Sequence, residues 1–150
     1  MKGYWGQEEK TRETVDSDGW LHTGDIAVMD QDGYAQITGR IKEMVIRGGE
    51  NIYPREVEEF LYTHPYIVDA QVIGVPSKKY GEELMVWIRA RQGAAPITTE
   101  SIAQFSQGKI SHHKIPRYVH VVEELPMTVT GKVRKVEMRE EALKLLDLER

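Results

Sequence analysis

The sequence predicts an α+β fold: a small sheet sandwich with about three helices, preceded by a β-hairpin. Three observations carry this. Short apolar runs with strand character alternate with turn signals rich in Gly and Asp, as six prolines and thirteen glycines punctuate 150 residues. Only three later segments show helix starts or helical spacing. The elements also come in the order strand pair, helix, strand, strand, helix, strand, helix, without the strict β-α alternation of a parallel sheet.

Each element has a local reason. The chain begins with a polar lead-in. Asp25–Met29 and residues 34–37 read as strands, joined by Asp30-Gln31-Asp32-Gly33, where glycine suits a positive φ. Asp16-Ser17-Asp18-Gly19 is a second turn of the same type. Neither stretch has the sixth-position Gly and twelfth-position Glu of an EF-hand loop, so turn chemistry is the better reading. Residues 44–47 lead through Gly48-Gly49 into 50–53, a second hairpin. Pro54 opens a helix, as proline is tolerated at the first helical position. Val57, Phe60 and Leu61 give that helix one apolar face, and His64-Pro65 ends it. Residues 68–73 and 84–88 read as strands. Thr98 or Thr99 caps a helix that turns Ile102 and Phe105 inward. Tyr118–Val122 is a further strand, and the last helix runs from about 136 to 146 or beyond.

Composition narrows the function classes. Lys plus Arg is 20 against 24 for Asp plus Glu, a net charge of −4. Nucleic-acid binding through phosphates wants a basic excess, so that class is disfavoured. With no cysteine, disulfides, thiol catalysis and Cys-based zinc sites are excluded, which fits a reducing compartment and a cytoplasmic location. No apolar run approaches the roughly 20 residues of a membrane span. The five histidines lack metal-ligand spacing, so no metal site is expected. Gly131-Lys132 is followed by Val133 and Gly108-Lys109 by Ile110, so neither is a Walker loop, and there is no Gly-x-Ser-x-Gly elbow.

Three stretches stand apart from ordinary scaffold. The first is Gly19-Trp20-Leu21-His22-Thr23-Gly24-Asp25. The second opens with Gly39-Arg40-Ile41-Lys42-Glu43, runs through Arg47-Gly48-Gly49-Glu50-Asn51-Ile52-Tyr53-Pro54 and ends at Glu58. The third is Leu125-Pro126-Met127-Thr128-Val129-Thr130-Gly131-Lys132-Val133-Arg134-Lys135. In order and separation they resemble the C-terminal end of the adenylate-forming superfamily, which includes acyl-CoA ligases, luciferases and peptide-synthetase adenylation domains. The second stretch looks most like medium- and long-chain fatty-acid–CoA ligases.

The resemblance implies an organisation and a chemistry. Residues 1–40 correspond to the C-terminal end of a large adenylation domain and 41–150 to a mobile lid. The family's phosphate loop, which binds most of MgATP, belongs to the large domain. The implied activity joins a carboxylic acid, fatty or otherwise apolar, to coenzyme A through an acyl-adenylate. A luciferase-like or peptide-synthetase lid, or a stand-alone binding or dimerisation module, remain alternatives. The implied partners are the acid, ATP, coenzyme A and the enzyme's own N-terminal domain, and the 150 residues alone are expected to be inactive.

The same resemblance assigns residues. Asp25 would bond the two ribose hydroxyls of the nucleotide, for which a carboxylate has two acceptor oxygens; by itself it reads as a cap at a strand start. Arg40 would approach the ribose. Gly39 stands where some relatives have Asp, which removes a ribose role at that position. Lys42 matches the hinge, and otherwise reads as an exposed strand residue. Gly48, Gly49 and Glu50 would line the path of coenzyme A, with Arg47 a candidate phosphate contact. His113 and Lys114, in the basic stretch 111–117, would also contact coenzyme A, against the alternative of a solvated loop. Lys132 would bond the carboxylate substrate and the α-phosphate, a task suited to a compact ammonium on a long stem.

Overall fold

The computed structural model describes residues 1–147. It comprises two compact units, Met1–Lys42 and Glu43–Arg150.

The first unit contains a helix, α1 (Glu8–Thr14), and an antiparallel hairpin of β1 (Asp25–Met29) and β2 (Ala35–Arg40). Helix α1 lies in the stretch expected to be a polar lead-in. It buries no residue, so it leaves no apolar periodicity to read. Its hold is polar: the Thr11 hydroxyl accepts the Tyr4 amide and donates to the Gln7 carbonyl, both at 2.9 Å. The two Asp-x-Asp-Gly stretches fold alike. Asp30 Oδ1 accepts the amides of Asp32 and Tyr34, and Asp16 Oδ1 accepts those of Asp18 and Trp20. Each carboxylate therefore closes a turn on its own backbone. The amide bonds and the His22 ring hold the Asp16 carboxyl below its ordinary value.

The second unit is a five-stranded mixed sheet with helices on both faces. Its strands are β3 (Val45–Arg47), β4 (Glu50–Ile52), β5 (Ile67–Ser77), β6 (Gly81–Ala90) and β7 (Tyr118–Val122). Strand β6 is central. One edge pairs antiparallel with β5 along its length. The other pairs parallel with β7, from Met85↔Tyr118 to Arg89↔Val122, and meets β3 at Arg47↔Gly81. The helices are α2 (Pro54–Leu61), α3 (Thr99–Ser106) and α4 (Lys135–Leu145).

Side-chain alternation along β6 builds two cores. Leu84, Val86 and Ile88 point to one face, where they pack with Val57 and Leu61 of α2 and Ile102 of α3. Met85 and Trp87 point to the other, with Ile73, Val75, Leu125, and Met138 and Ala142 of α4. A strand covered on both faces is apolar without alternation, as 84–88 is. Each large side chain fully buried here contributes about 1.5–3 kcal/mol relative to exposure. The expected inward Ile102 is fully buried and Phe105 half-buried. Thr98 is the cap of α3, exchanging bonds with Ser101 in a capping box.

Candidate functional site

The hairpin β1–β2 brings Asp25 and Arg40 together. They are register partners, and Arg40 Nε donates to Asp25 Oδ1 at 3.0 Å. The Asp25 amide donates to the Thr23 hydroxyl oxygen at 3.1 Å, and Gly24, at φ 76°, lets the chain turn into β1. The ion pair leaves one Asp25 oxygen free of it, and the Arg40 side chain is largely exposed. A vicinal diol beside this pair would meet both an acceptor and a charged donor.

Lys42 lies exposed in a single 3-10 turn, Ile41–Glu43, rather than in a strand. It is the last residue of the first unit, and Glu43 begins the second.

Gly48 and Gly49 form the two-residue loop between the paired residues Arg47 and Glu50. Their φ angles of 59° and 90° are those of a type I′ turn, which glycine accommodates. A Cβ at Gly48 would sit 3.3 Å from the Tyr80 ring, while one at Gly49 would meet nothing within 4 Å. Gly49 thus presents bare backbone to open space, and Glu50 beside it is exposed. The turn is held on the sheet by groups that the sequence reading did not single out. The Gly48 amide donates to the Tyr80 carbonyl at 2.8 Å, and the Ile46 amide to Glu82 Oε2 at 2.7 Å. The Arg47 guanidinium lies 4.4 Å over the Tyr80 ring and ion-pairs with Glu83, which is 1% exposed. Arg47, expected as a phosphate contact, has its Nε committed to this buried carboxylate. Glu83 had no local signal in the sequence, since it precedes the strand read at 84–88 and its partner lies 36 positions away.

His113 and Lys114 share a single 3-10 turn, His112–Lys114. The Lys114 ammonium pairs with Glu56 of α2 at 2.5 Å, which ties this turn to the helix following the glycine hairpin.

Lys132 stands in a loop built by its own backbone. Met127 bridges Val133, the Lys132 amide donates to Thr128 Oγ1 at 3.0 Å, and the Thr128 amide to the Lys132 carbonyl at 2.8 Å. Gly131, at φ 78°, closes the turn. The Lys132 side chain is exposed, and no carboxylate pairs with it among the described residues. Its charge is therefore available to an external anion. Among the described residues no hydrogen bond or ion pair joins Lys132 to the Gly48-Gly49 turn. Nor do three His, Cys, Asp or Glu side chains converge there on a common point.

A mitochondrial medium-chain acyl-CoA ligase of Danio rerio is 51% identical over 148 residues, 99% of this chain and 24% of that protein. A Bacillus subtilis (strain 168) protein named as an acyl-CoA synthetase, YngI, is 51% identical over the same length, covering 27% of it. The chain thus spans about a quarter of the length of the curated relatives it matches. Among solved structures, ATP-bound MatB from Rhodopseudomonas palustris superimposes with a TM-score of 0.87 at 36% identity, over 93% of this chain and 28% of that one. A fatty acyl CoA synthetase of Mycobacterium tuberculosis does so at 0.69 and 36% identity, over 93% and 27%. Residues 56–132, from the α2 acid that holds Lys114 to Lys132 itself, match the AMP-binding enzyme C-terminal domain. With half of its length inside that match, the chain belongs to the family of AMP-binding enzyme C-terminal domains.

Proposed function

We propose that the chain is the C-terminal part of an AMP-forming acid–thiol ligase. The enzyme activates a carboxylic acid with MgATP to an acyl-adenylate and then passes the acyl group to the thiol of coenzyme A. The single observation that carries this is the exposed ammonium of Lys132, without an ion-pair partner among the described residues, on a loop closed by its own backbone. The names of the curated relatives, acyl-CoA synthetases and medium-chain acyl-CoA ligases, favour an apolar acid. In this reading residues 1–40 end a large adenylation domain, which is the chain's partner and holds the metal of MgATP, and 41–150 form its lid. A cysteine-free sequence accords with a reducing, cytoplasmic setting.

The residues divide between two half-reactions. In the first, Asp25 and Arg40 bind the ribose, and Lys132 bonds the acid carboxylate and the α-phosphate. Its charge stabilises the negative oxygens that develop as the carboxylate attacks phosphorus and pyrophosphate leaves. The lid then turns at Lys42, withdrawing Lys132 and presenting Gly48-Gly49. Bare glycine backbone leaves a channel for the thiol arm of coenzyme A, with Glu50, His113 and Lys114 beside it. The thiol attacks the acyl carbonyl and AMP leaves.

The test separates the half-reactions in the full-length enzyme. In Lys132→Ala, adenylation measured by pyrophosphate release falls about 10²-fold or more, through loss of a charge-stabilising group. Thioester formation from synthetic acyl-adenylate stays nearly intact. In Gly49→Leu the pattern reverses. Equal impairment of both steps by Lys132→Ala would make Lys132 a structural residue and end this reading.

A further inference from the structure

Three residues beyond Lys132, the chain places a second lysine where an exposed cation is disfavoured. Lys135 is the first residue of α4, at the positive end of the helix dipole. Its side chain is only 14% exposed. A desolvated ammonium in such a position requires compensation, and two carboxylates from distant parts of the sequence supply it. Lys135 Nζ lies 2.8 Å from Glu58 Oε1 and 3.2 Å from Glu43 Oε2.

Each carboxylate connects Lys135 to a different part of the second unit. Glu58, on α2, is itself nearly buried, and its Oε1 also accepts the Val72 amide of β5 at 2.8 Å. It therefore fixes Lys135 to the body of the sheet. Glu43 is the residue that follows Lys42, the proposed hinge. Between Lys135 and Lys132 the backbone has little freedom. Arg134 donates its amide to the Pro126 carbonyl at 2.8 Å, Val133 bridges Met127, and Lys132 is tied through both amide and carbonyl to Thr128. A displacement of Lys135 is thus passed to Lys132.

We propose that Lys135 is a positioning residue for adenylation, resting on the role given to Lys132 above. Its ammonium, locked between Glu58 and Glu43, makes the Lys132 loop and the residue after the hinge parts of one rigid body. A rotation at Lys42 then delivers Lys132 to a defined place. Without the lock the loop keeps its own turn but loses its registration to the hinge. The thioester-forming turn is held by other groups, Tyr80, Glu82 and Glu83, and is unaffected.

The experiment uses the full-length enzyme and four variants: Lys135→Met, Lys135→Arg, Glu43→Gln and, as reference, Lys132→Ala. Both half-reactions and the melting temperature are measured for each. In Lys135→Met, kcat for adenylation falls about 10²-fold, the scale of a misplaced catalytic group, with KM for ATP changed less than about threefold. Thioester formation from synthetic adenylate remains within about threefold, since its turn is separately held. Lys135→Arg keeps the charge and recovers most of the adenylation rate. Glu43→Gln, at a partly exposed acid, loses about tenfold in the same half-reaction with its melting temperature nearly unchanged. That variant carries the test if Lys135→Met fails to fold. Equal loss in both half-reactions, unaltered adenylation, or loss that tracks melting temperature across the series would overturn the proposal. If Lys132→Ala itself shows no selective loss, the parent reading has failed; if it does and the other variants do not, only the positioning role has.

Discussion

At the scale of single residues, the pairings that the structure adds were hidden by sequence distance. Lys135 and Glu58 are 77 positions apart, and Arg47 and Glu83 are 36. Nothing local marks such partners, because an ion pair leaves no periodicity. His64 is another case. The sequence presents it only as a helix terminator, yet its ring packs edge-on against Phe105 and Tyr66, and its Nδ1 accepts the Tyr66 amide at 3.2 Å. Accepting that bond requires a neutral nitrogen. Burial, and then the charge of Lys109, hold the imidazole below its ordinary 6.5. The unfolded chain therefore binds the proton first, and stability falls as pH drops below about 6.5. The fall ends once folded His64 also protonates. Urea midpoints between pH 5 and 8 should show this slope in the wild type and a flatter one in His64→Gln; equal slopes would remove His64 from the acid side of the stability profile.

Among elements, the hairpins and α2 were legible because their signals are local: paired turn glycines, Pro54 at a helix start, and an apolar stripe at 57, 60 and 61. Strand β5 was legible only as far as Ile73. Gly74 and Pro76 are residue types that weaken strands, yet the strand continues to Ser77. Tertiary packing decides the matter. A Cβ at position 74 would lie 3.1–3.2 Å from the Val45 methyls and 2.7 Å from Glu82 Oε1. Glycine is there so that β3 can close on β5. Glu82 has limited room to retreat, because its other oxygen holds the Ile46 amide. Gly74→Ala should therefore lower stability by about 1–3 kcal/mol, the usual cost of overpacking, read as a lower urea midpoint at constant slope. A neutral or stabilising result would mean that the strand tolerates the methyl, and that the glycine is not required for this packing. The parallel pairing of β7 with β6 had no sequence signal, since it joins strands separated by α3 and a further turn. Helix α1 had none because it buries nothing.

At the scale of the whole molecule, the division into two units falls at Lys42 and Glu43, and the site residues distribute accordingly. Asp25 and Arg40 belong to the first unit; Lys132, the glycine turn and Lys114 belong to the second. The second unit has two cores on one continuous sheet, and its loops are tied to it by buried carboxylates, Glu58 and Glu83. A body so connected is suited to move without internal rearrangement, leaving a few backbone torsions at the junction to absorb a rotation. The motif around Lys42 was legible, but the motion is not a property that spacing reveals, so it has to be tested. Proline holds φ near −65°, within the range of the 3-10 turn seen at Ile41–Glu43. Lys42→Pro in the full-length enzyme should therefore fix φ at this residue and so block the rotation. Adenylation stays close to wild type, and thioester formation from synthetic adenylate falls about 10²-fold, because the Gly48-Gly49 turn no longer reaches the site. Lys42→Ala, which leaves φ free, should retain both half-reactions. If the proline variant also retained both, rotation at this residue would be unnecessary, and the two half-reactions would have to share one arrangement of the units.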